Sequence, residues 1–167
     1  MTRSIFFFRH GEAFQIGENN IRTDDERPLT PKGRSVTEEV CLALAKMDIK
    51  PDMIWHSPLV RAVETADIIS RHTDCSILFE KSGLAWPDQE EDLFLELSRL
   101  KPNINLFIVG HQPDLGNWIC RLATGINHGD IALSKSGVAR VDILTQGPPA
   151  RGELRWLMTA RQLRRCK

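Results

Sequence analysis

The chain has 167 residues, of which 41% are hydrophobic and 26% are charged, a composition typical of a folded globular protein and not of a disordered chain or a coiled coil. Its 22 basic residues balance its 22 acidic residues, so the net charge gives no reason to expect nucleic acid as a partner, because nucleic-acid binding usually brings a basic excess. We therefore expect a single domain over residues 1–167, with the basic stretch Arg161 to Lys167 as a solvated tail.

The first part of the chain alternates short apolar runs with longer segments of helical periodicity. Ile5 to Phe8 is predicted to be the first strand, and residues 13–29 that follow it are polar and without a period. Thr30 before Pro31 is typical of an N-cap followed by the first helical position, and apolar residues three or four apart continue the helix. Met53 to Trp55 is predicted to be the second strand.

The remaining elements follow the same pattern. Ser57 and Pro58 repeat the pairing of a cap with a proline and predict a helix that runs to about Thr73. The later predicted elements are a strand at Ile77 to Phe79, a helix from Asp88 to Leu100, a strand at Leu106 to Val109, a helix from Leu115 to Ala123, and short strands at Ile131 to Leu133, Val138 to Leu144 and Leu154 to Met158. Strands that alternate with helices predict an α/β fold in which helices cover a mostly parallel sheet.

The first chemical signal lies where the first predicted strand ends. Arg9, His10, Gly11 and Glu12 follow this strand directly, and open α/β sheets bind ligands beyond the carboxyl ends of their strands. A guanidinium beside an imidazole provides a fixed fork for phosphate oxygens next to a nitrogen that can attack phosphorus, and a glycine lets the backbone approach closely. The motif predicts a phosphate site, although an arginine and histidine at a strand end are more often an ordinary surface feature.

The second signal follows the second predicted strand. Ser57 is predicted to cap the next helix, and Arg61 projects from the first turn, close to a helix N-terminus that favours anions. Taken alone, Arg61 fits a solvent-facing helical arginine equally well.

The third signal is the pair Gly110 and His111, which ends the most apolar predicted strand. A lone histidine at such a position is more often structural than catalytic. Three strand ends that each bring a phosphate-compatible side chain to one edge of a sheet change this interpretation. We therefore expect Arg9, His10, Arg61 and His111 to converge on one anion pocket.

Together these segments resemble the motifs of the histidine phosphatase superfamily. The superfamily carries Arg-His-Gly, then Ser-Pro-x-x-Arg-Ala-x-x-Thr, then Gly-His, and this chain has them in that order at residues 9–11, 57–65 and 110–111. Residues 27–30 and Gly33 also resemble the superfamily segment that precedes the first helix. The resemblance covers roughly residues 5–115.

The resemblance implies a phosphoglycerate mutase-like fold, a three-layer sandwich with a mostly parallel central sheet flanked by helices. It also implies that His10 becomes phosphorylated, that Arg9 and Arg61 hold the phosphoryl oxygens and that His111 stabilises the transferring group. Ser57 is included among the expected phosphate-binding residues. Phosphoryl transfer mainly requires positioning and charge neutralisation, which two guanidinium groups and a second imidazole supply without a metal.

The general acid is left open by the sequence. In the mutase-like branches it is a glutamate in a longer insertion after the third strand, and this chain has only residues 81–91 in that place. Glu12 and Asp88 are the main candidates, followed by Glu90 and Glu91, although acids that open a helix commonly just complement its dipole.

The short insertion also argues against a deep lid, and an open pocket suits a phosphate displayed on a protein surface. The chain therefore looks closest to the short SixA-like phosphohistidine phosphatases, acting on phosphohistidine of a protein or on another phosphoramidate or phosphomonoester. A phosphatase of small phosphorylated molecules from the same superfamily is the main alternative. A non-catalytic phosphate-binding module is disfavoured, because loss of catalysis typically removes the nucleophile.

No cofactor and no metal are expected. The four cysteines are scattered, form no C-x-x-C pair and have no histidine at ligand spacing, so we interpret Cys41, Cys75, Cys120 and Cys166 as reduced thiols. The apolar run Ile5 to Phe8 is too short for a signal-peptide core or a membrane span. We therefore expect a cytoplasmic protein without a membrane partner.

Overall fold

The computed structural model describes residues 3–86, 90–145 and 150–166, with only the backbone given for residues 90–92. The elements in chain order are β1 (Arg3–Arg9), α1 (Pro31–Lys46), β2 (Met53–His56), α2 (Val60–Thr73), β3 (Leu78–Glu80), a 3-10 helix (Ser82–Leu84), α3 (Glu90–Ser98), β4 (Ile104–Gly110), α4 (Asp114–Thr124), β5 (Val138–Ile143), β6 (Gly152–Met158) and α5 (Ala160–Leu163).

The strands form one sheet of six in the order β3-β2-β4-β1-β5-β6. The four strands from β3 to β1 pair in parallel, whereas β5 and β6 pair antiparallel. The predicted mostly parallel sheet is thus confirmed, with an antiparallel margin on one side. Because β4 lies between β2 and β1, the carboxyl ends of these three strands lie side by side at one edge of the sheet.

Helices cover both faces of this sheet. Phe6 and Phe8 of β1 lie in the hydrophobic cluster with α1, α2 and α5, whereas Ile5 and Phe7 lie in the cluster with α3 and α4. This division follows from strand geometry, because alternate side chains point to opposite faces. The three-layer α/β sandwich expected from the sequence is confirmed.

The first two helices begin in different ways. Thr30 is the N-cap of α1 and its side chain accepts a hydrogen bond from the N–H of Gly33, with Pro31 in the first turn, as predicted. The predicted cap of α2 is wrong, because that helix begins at Val60 with Leu59 as its N-cap and no side-chain cap. Ser57 lies further upstream, where its hydroxyl accepts from the N–H of Leu59 at 3.3 Å.

Two further expectations need correction. The segment Ile131 to Leu133 is not a strand, because its backbone bonds with the side-chain amide of Gln112 and not with a neighbouring strand. The stretch Arg161 to Lys167, which we expected to be a solvated tail, begins inside α5, whose Ala160 and Leu163 are buried in the core while the arginines between and after them face outward. Apolar residues three positions apart were sufficient to dock this short helix.

The other differences are small. The third strand is Leu78–Glu80 where Ile77 to Phe79 was predicted, and α3 ends at Ser98 where a helix to Leu100 was predicted. The predicted start of this helix at Asp88 lies outside the described residues. Within the ranges that the structure describes, no helix combines the length and the apolar content needed to cross a membrane.

Candidate active site

The backbone around His10 is held by three separate parts of the fold. The N–H of His10, directly after β1, donates to the carbonyl of Gly110 at the end of β4, at 3.1 Å. The carbonyl of His10 accepts from the N–H of Ser136 at 3.2 Å, and the N–H of Gly11 donates to the hydroxyl of Thr65 in α2 at 3.1 Å. The position of His10 is therefore fixed by β4, α2 and the segment before β5 together.

Two glycines allow α1 to pack directly against the loop after His10. A Cβ on Gly11 would lie 2.7 Å from the hydroxyl oxygen of Thr37 and 3.0 Å from the carbonyl oxygen of Gly33. A Cβ on Gly33 would lie 2.1 Å from the carbonyl oxygen of Glu12, which is far inside contact distance. Neither position has room for a side chain, so the Arg-His-Gly motif and the later Gly33 belong to one close-packed contact.

The imidazole of His10 is buried, and its Nδ1 lies 2.7 Å from the carbonyl oxygen of Gly11. A carbonyl oxygen only accepts, so Nδ1 carries the proton and Nε2 keeps its lone pair. Burial lowers the pKa of His10 to about 3, opposed by the hydrogen bond to Gly11 and assisted by the charges of His111, Arg61 and Arg9. His10 is therefore neutral at neutral pH, the state that a nucleophilic imidazole needs.

The second histidine of the site lies beside the first. His111 directly follows β4, and its ring centroid is 5.1 Å from that of His10. Its Nε2 lies 2.7 Å from the hydroxyl oxygen of Ser57, whereas its Nδ1 is buried with no hydrogen-bond partner among the described residues. Burial, followed by the charge of Arg61, lowers the pKa of His111 to about 4.

Arg61 reaches this edge of the sheet from the first turn of α2, as the sequence predicts. It is buried, and its two terminal nitrogens donate to the backbone carbonyl and the carboxylate of Asp24, at 2.7 and 2.8 Å. Burial pulls the pKa of Asp24 upward, but hydrogen bonds from Arg27 and Arg61 outweigh it and hold that pKa below its ordinary value. Asp24 is therefore a carboxylate that pairs with Arg61 at the edge of the site.

Arg9 is the fourth of the predicted site residues, after His10, His111 and Arg61. One of its terminal nitrogens donates to the carbonyl of Leu133 at 2.7 Å. The charges of Arg9 and Arg61 both act on the imidazoles of His10 and His111, lowering the pKa of each. The structure thus brings together the four residues that the sequence predicts to converge.

This group contains buried nitrogens that lack a hydrogen-bond partner among the described residues. They are Nε of Arg9, Nε of Arg61 and Nδ1 of His111. Two other buried side-chain atoms share this condition, Nε of Arg3, in the first residue of β1, and the hydroxyl oxygen of Ser134. Leaving a buried donor unpaired costs about 1–3 kcal/mol, so an anion that accepts from Arg9, Arg61 and His111 together would relieve a substantial penalty.

The remaining candidates from the sequence lie elsewhere. Glu12 is part-exposed, with its carboxylate 3.3 Å from the ammonium of Lys32 and 3.3 Å from the hydroxyl of Thr30. The hydrogen bond from Lys32 is the main reason that the pKa of Glu12 is lowered, the opposite of what a general acid requires. Asp88 lies outside the described residues. Ser57 is fully buried, with its hydroxyl directed to His111.

Sequence reasoning did not single out two acidic residues, Asp24, which contacts Arg61, and Asp114. Asp24 lies in the aperiodic stretch after β1, where no motif singles it out. Asp114 is three residues after His111, in the first turn of α4, and burial raises its pKa. A carboxyl that holds its proton more readily is a better candidate for a proton donor than Glu12. Within the described part of the chain, no group of three or more His, Cys, Asp or Glu residues could hold a metal ion.

Comparison with known proteins identifies the family of this chain. Residues 5–82 match the family model of the histidine phosphatase superfamily (branch 1). An uncharacterized protein of Picosynechococcus is 33% identical over 144 residues, covering 80% of this chain and 81% of that protein. This chain belongs to the histidine phosphatase superfamily.

Other similarities are partial in length or limited to the fold. The human mitochondrial serine/threonine-protein phosphatase PGAM5 is 44% identical over 71 residues, which are 42% of this chain and only 23% of that protein. The protein histidine phosphatase SixA in complex with tungstate superposes with a TM-score of 0.79 at 20% identity, covering 96% of this chain and 99% of that one. The alpha-ribazole phosphatase of Shigella flexneri gives a TM-score of 0.75 at 18% identity, covering 94% and 96%.

Proposed function

We propose that this protein is a phosphatase that hydrolyses phosphohistidine on a protein, or another phosphoramidate, through a covalent phosphohistidine intermediate at His10. The observation that carries the proposal is the neutral His10, which keeps the lone pair of Nε2 free beside His111 and two arginines. The superfamily membership supports the phosphatase chemistry.

The reaction proceeds in two displacements. Nε2 of His10 attacks phosphorus, the bond from phosphorus to the leaving group breaks, and the departing imidazole takes a proton from solvent. Arg9, Arg61 and His111 donate hydrogen bonds to the equatorial oxygens, where charge must be neutralised. The Gly11 carbonyl that accepts from Nδ1 of His10 stabilises the positive charge that the ring gains on phosphorylation. Water then attacks the phosphorus of phosphorylated His10, the bond from Nε2 to phosphorus breaks and the attacking water loses a proton to solvent, so that phosphate is released and His10 is neutral again.

The substrate class follows from the leaving group. The imidazole that departs from phosphohistidine has a conjugate-acid pKa near 6.5, whereas an alkoxide is a far stronger base that needs a proton donor. Such a donor is typically worth about 10²- to 10⁴-fold in rate, and Glu12 is held as a carboxylate by Lys32 and Thr30. A site with this electrostatic arrangement favours phosphoramidates, and the fold similarity to the protein histidine phosphatase SixA supports the same substrate.

A phosphatase of small phosphomonoesters is the second candidate. The specific observation that favours it is Asp114 in the first turn of α4, whose pKa is raised by burial, because a general acid must hold a proton before it gives it to an alkoxide leaving group. The fold similarity to the alpha-ribazole phosphatase of Shigella flexneri supports this alternative.

Trapping the intermediate tests the proposal. The protein is mixed with excess phosphohistidine-containing protein, quenched without acid and digested, and we expect a phosphorylated peptide that contains His10. His10→Gln should abolish both the labelled peptide and turnover, whereas His128→Gln, a change at the exposed surface, should preserve both. Full turnover by His10→Gln would refute the covalent mechanism.

A matched series of leaving groups separates the two candidates. We expect phosphohistidine and aryl phosphates to be hydrolysed much faster than alkyl phosphates, with Glu12→Gln and Asp88→Asn mild on the first two. A sugar phosphate with an equal or better kcat/KM, whose turnover Asp114→Asn strongly reduces, would replace phosphohistidine with a small phosphomonoester as the substrate.

A further inference from the structure

Ser57 lies behind His111, away from solvent. Its side chain is fully buried between the end of β2 and the start of α2. The hydroxyl oxygen accepts from the N–H of Leu59 at 3.3 Å and lies 2.7 Å from Nε2 of His111. The residue that the sequence suggests as a phosphate ligand therefore contacts the second histidine through its hydroxyl.

The direction of this hydrogen bond follows from counting protons. A serine hydroxyl has one proton to donate, and within the described part of the chain Nε2 of His111 is the acceptor that lies within its reach. If Nε2 carried a proton, the buried hydroxyl proton would have no partner, at a cost of about 1–3 kcal/mol. The favourable arrangement has Ser57 donating to Nε2, which places the proton of the neutral His111 ring on Nδ1.

We propose that Ser57 is a positioning residue that fixes the tautomer of His111, so that the neutral ring donates a hydrogen bond from Nδ1 to the phosphoryl group. This inference deepens the proposed function and rests on it for the identity of the acceptor. The buried Nδ1 that lacks a partner is the second observation that supports it, because phosphoryl oxygens accept and do not donate.

The charged groups around His111 keep it neutral. Arg61 from α2, Arg9 from the end of β1 and Arg27 from the loop before α1 disfavour the imidazolium, whereas Asp24 of the same loop favours it. His10 also faces the ring and is itself neutral. Burial is the largest influence, and together these effects lower the pKa of His111 to about 4.

The two histidines thereby acquire opposite tasks with the same tautomer. Both carry their proton on Nδ1, His10 through the carbonyl of Gly11 and His111 through the hydroxyl of Ser57. His10 presents the unprotonated Nε2 to phosphorus, and His111 presents the protonated Nδ1 to oxygen. A neutral donor needs no uptake of a proton, so titration of His111 should cause no loss of kcat/KM between about pH 5 and 8.

Nitrogen NMR of the full chain labelled with ¹⁵N-histidine measures the tautomer directly. At pH 7 we expect the His111 ring, assigned by its loss in His111→Gln, to be neutral with the proton on Nδ1. Ser57→Ala should shift it toward the Nε2-protonated form. Ser98→Ala, which removes another buried serine hydroxyl that donates to the carbonyl of Leu95, should leave it unchanged.

Kinetics provide the second measurement. Ser57→Ala should lower kcat roughly tenfold to a hundredfold with little change in KM, somewhat less than complete loss of an oxyanion donor. Urea unfolding establishes that the variant is folded. A doubly protonated or Nε2-protonated His111 in the wild type, or an unchanged tautomer in Ser57→Ala, would overturn the inference. Absence of turnover on every phosphorylated substrate would instead refute the proposed function, and the tautomer would still be decided by NMR.

Discussion

Acid should destabilise this fold through His10 and His111, the two buried histidines of the site, and replacing either one should remove part of that effect. The pKa of His10 is lowered to about 3 and that of His111 to about 4, chiefly by burial. The unfolded chain therefore binds protons at these residues well before the folded chain does as the pH falls. The stability that these two neutral histidines contribute is fully present above the ordinary imidazole pKa of 6.5. It is lost progressively as the pH falls toward their pKa values in the folded state.

The size of the effect follows from the difference in proton binding. Between pH 7 and pH 5 an unfolded imidazole becomes almost fully protonated, whereas His10 and His111 remain neutral in the folded state, so each costs about 2 kcal/mol of unfolding free energy. The two together cost about 4 kcal/mol, a large part of the roughly 5–15 kcal/mol that stabilises a typical domain. His10→Gln and His111→Gln should each reduce the loss by about 2 kcal/mol.

Urea unfolding at pH 7, 6 and 5, followed by tryptophan fluorescence, measures the slope of the unfolding free energy against pH. Trp118 is buried in the core and reports global unfolding. The buffers must lack phosphate and sulfate, because an anion bound to the folded site would stabilise it separately. His128→Gln, at the exposed surface, is the control and should follow the wild type. Equal slopes for the wild type, His10→Gln and His111→Gln would show that these imidazoles are not held neutral by the fold.

Three further predictions concern the surroundings of the site. Chelators should leave turnover unchanged, since arginines neutralise the phosphate charge, and a loss restored by a divalent ion would reveal a metal site that we have missed. Asp24→Asn should tighten inhibition by inorganic phosphate about threefold to tenfold at low salt, because Arg61 loses its anionic partner. Weaker inhibition of this variant would mean that Asp24 mainly positions Arg61. Gly33→Ala should lower the free energy of unfolding by about 1–3 kcal/mol or more, because its Cβ would meet the carbonyl oxygen of Glu12 at 2.1 Å. An unchanged urea midpoint would contradict the close packing of α1 against the loop after His10.

The sequence predicts which strand ends carry chemistry, because apolar runs stop at Arg9, His56 and Gly110 and polar motifs follow each of them. It does not predict the order of the strands, and it is the position of β4 between β1 and β2 that sets His111 beside His10. The sequence also does not predict the contact of Ser57 with His111. A serine followed by a proline and a helix has the pattern of an N-cap, and that pattern does not indicate a partner elsewhere in the chain.

Other errors have the same origin in tertiary contacts. Asp24 lies in a stretch without periodicity, yet it pairs with Arg61, which is 37 residues further along the chain. The β-prone segment Ile131 to Leu133 has its hydrogen-bonding groups occupied by the side chains of Gln112 and Arg9. In each case a side chain distant in sequence supplies the hydrogen-bond partner, and the local sequence pattern does not predict it.

The three hydrogen bonds that hold the backbone of His10 and Gly11 have a consequence for synthesis and folding. Gly110 and Ser136 lie a hundred or more positions after His10, so His10 emerges from the ribosome long before the residues that fix its orientation. Contacts of such long sequence separation form late, after most of the chain has collapsed. A nascent chain therefore carries the imidazole of His10 without the neighbours that keep it neutral and fix its orientation. On the proposed mechanism, it could accept a phosphoryl group only after the last third of the chain has folded around it.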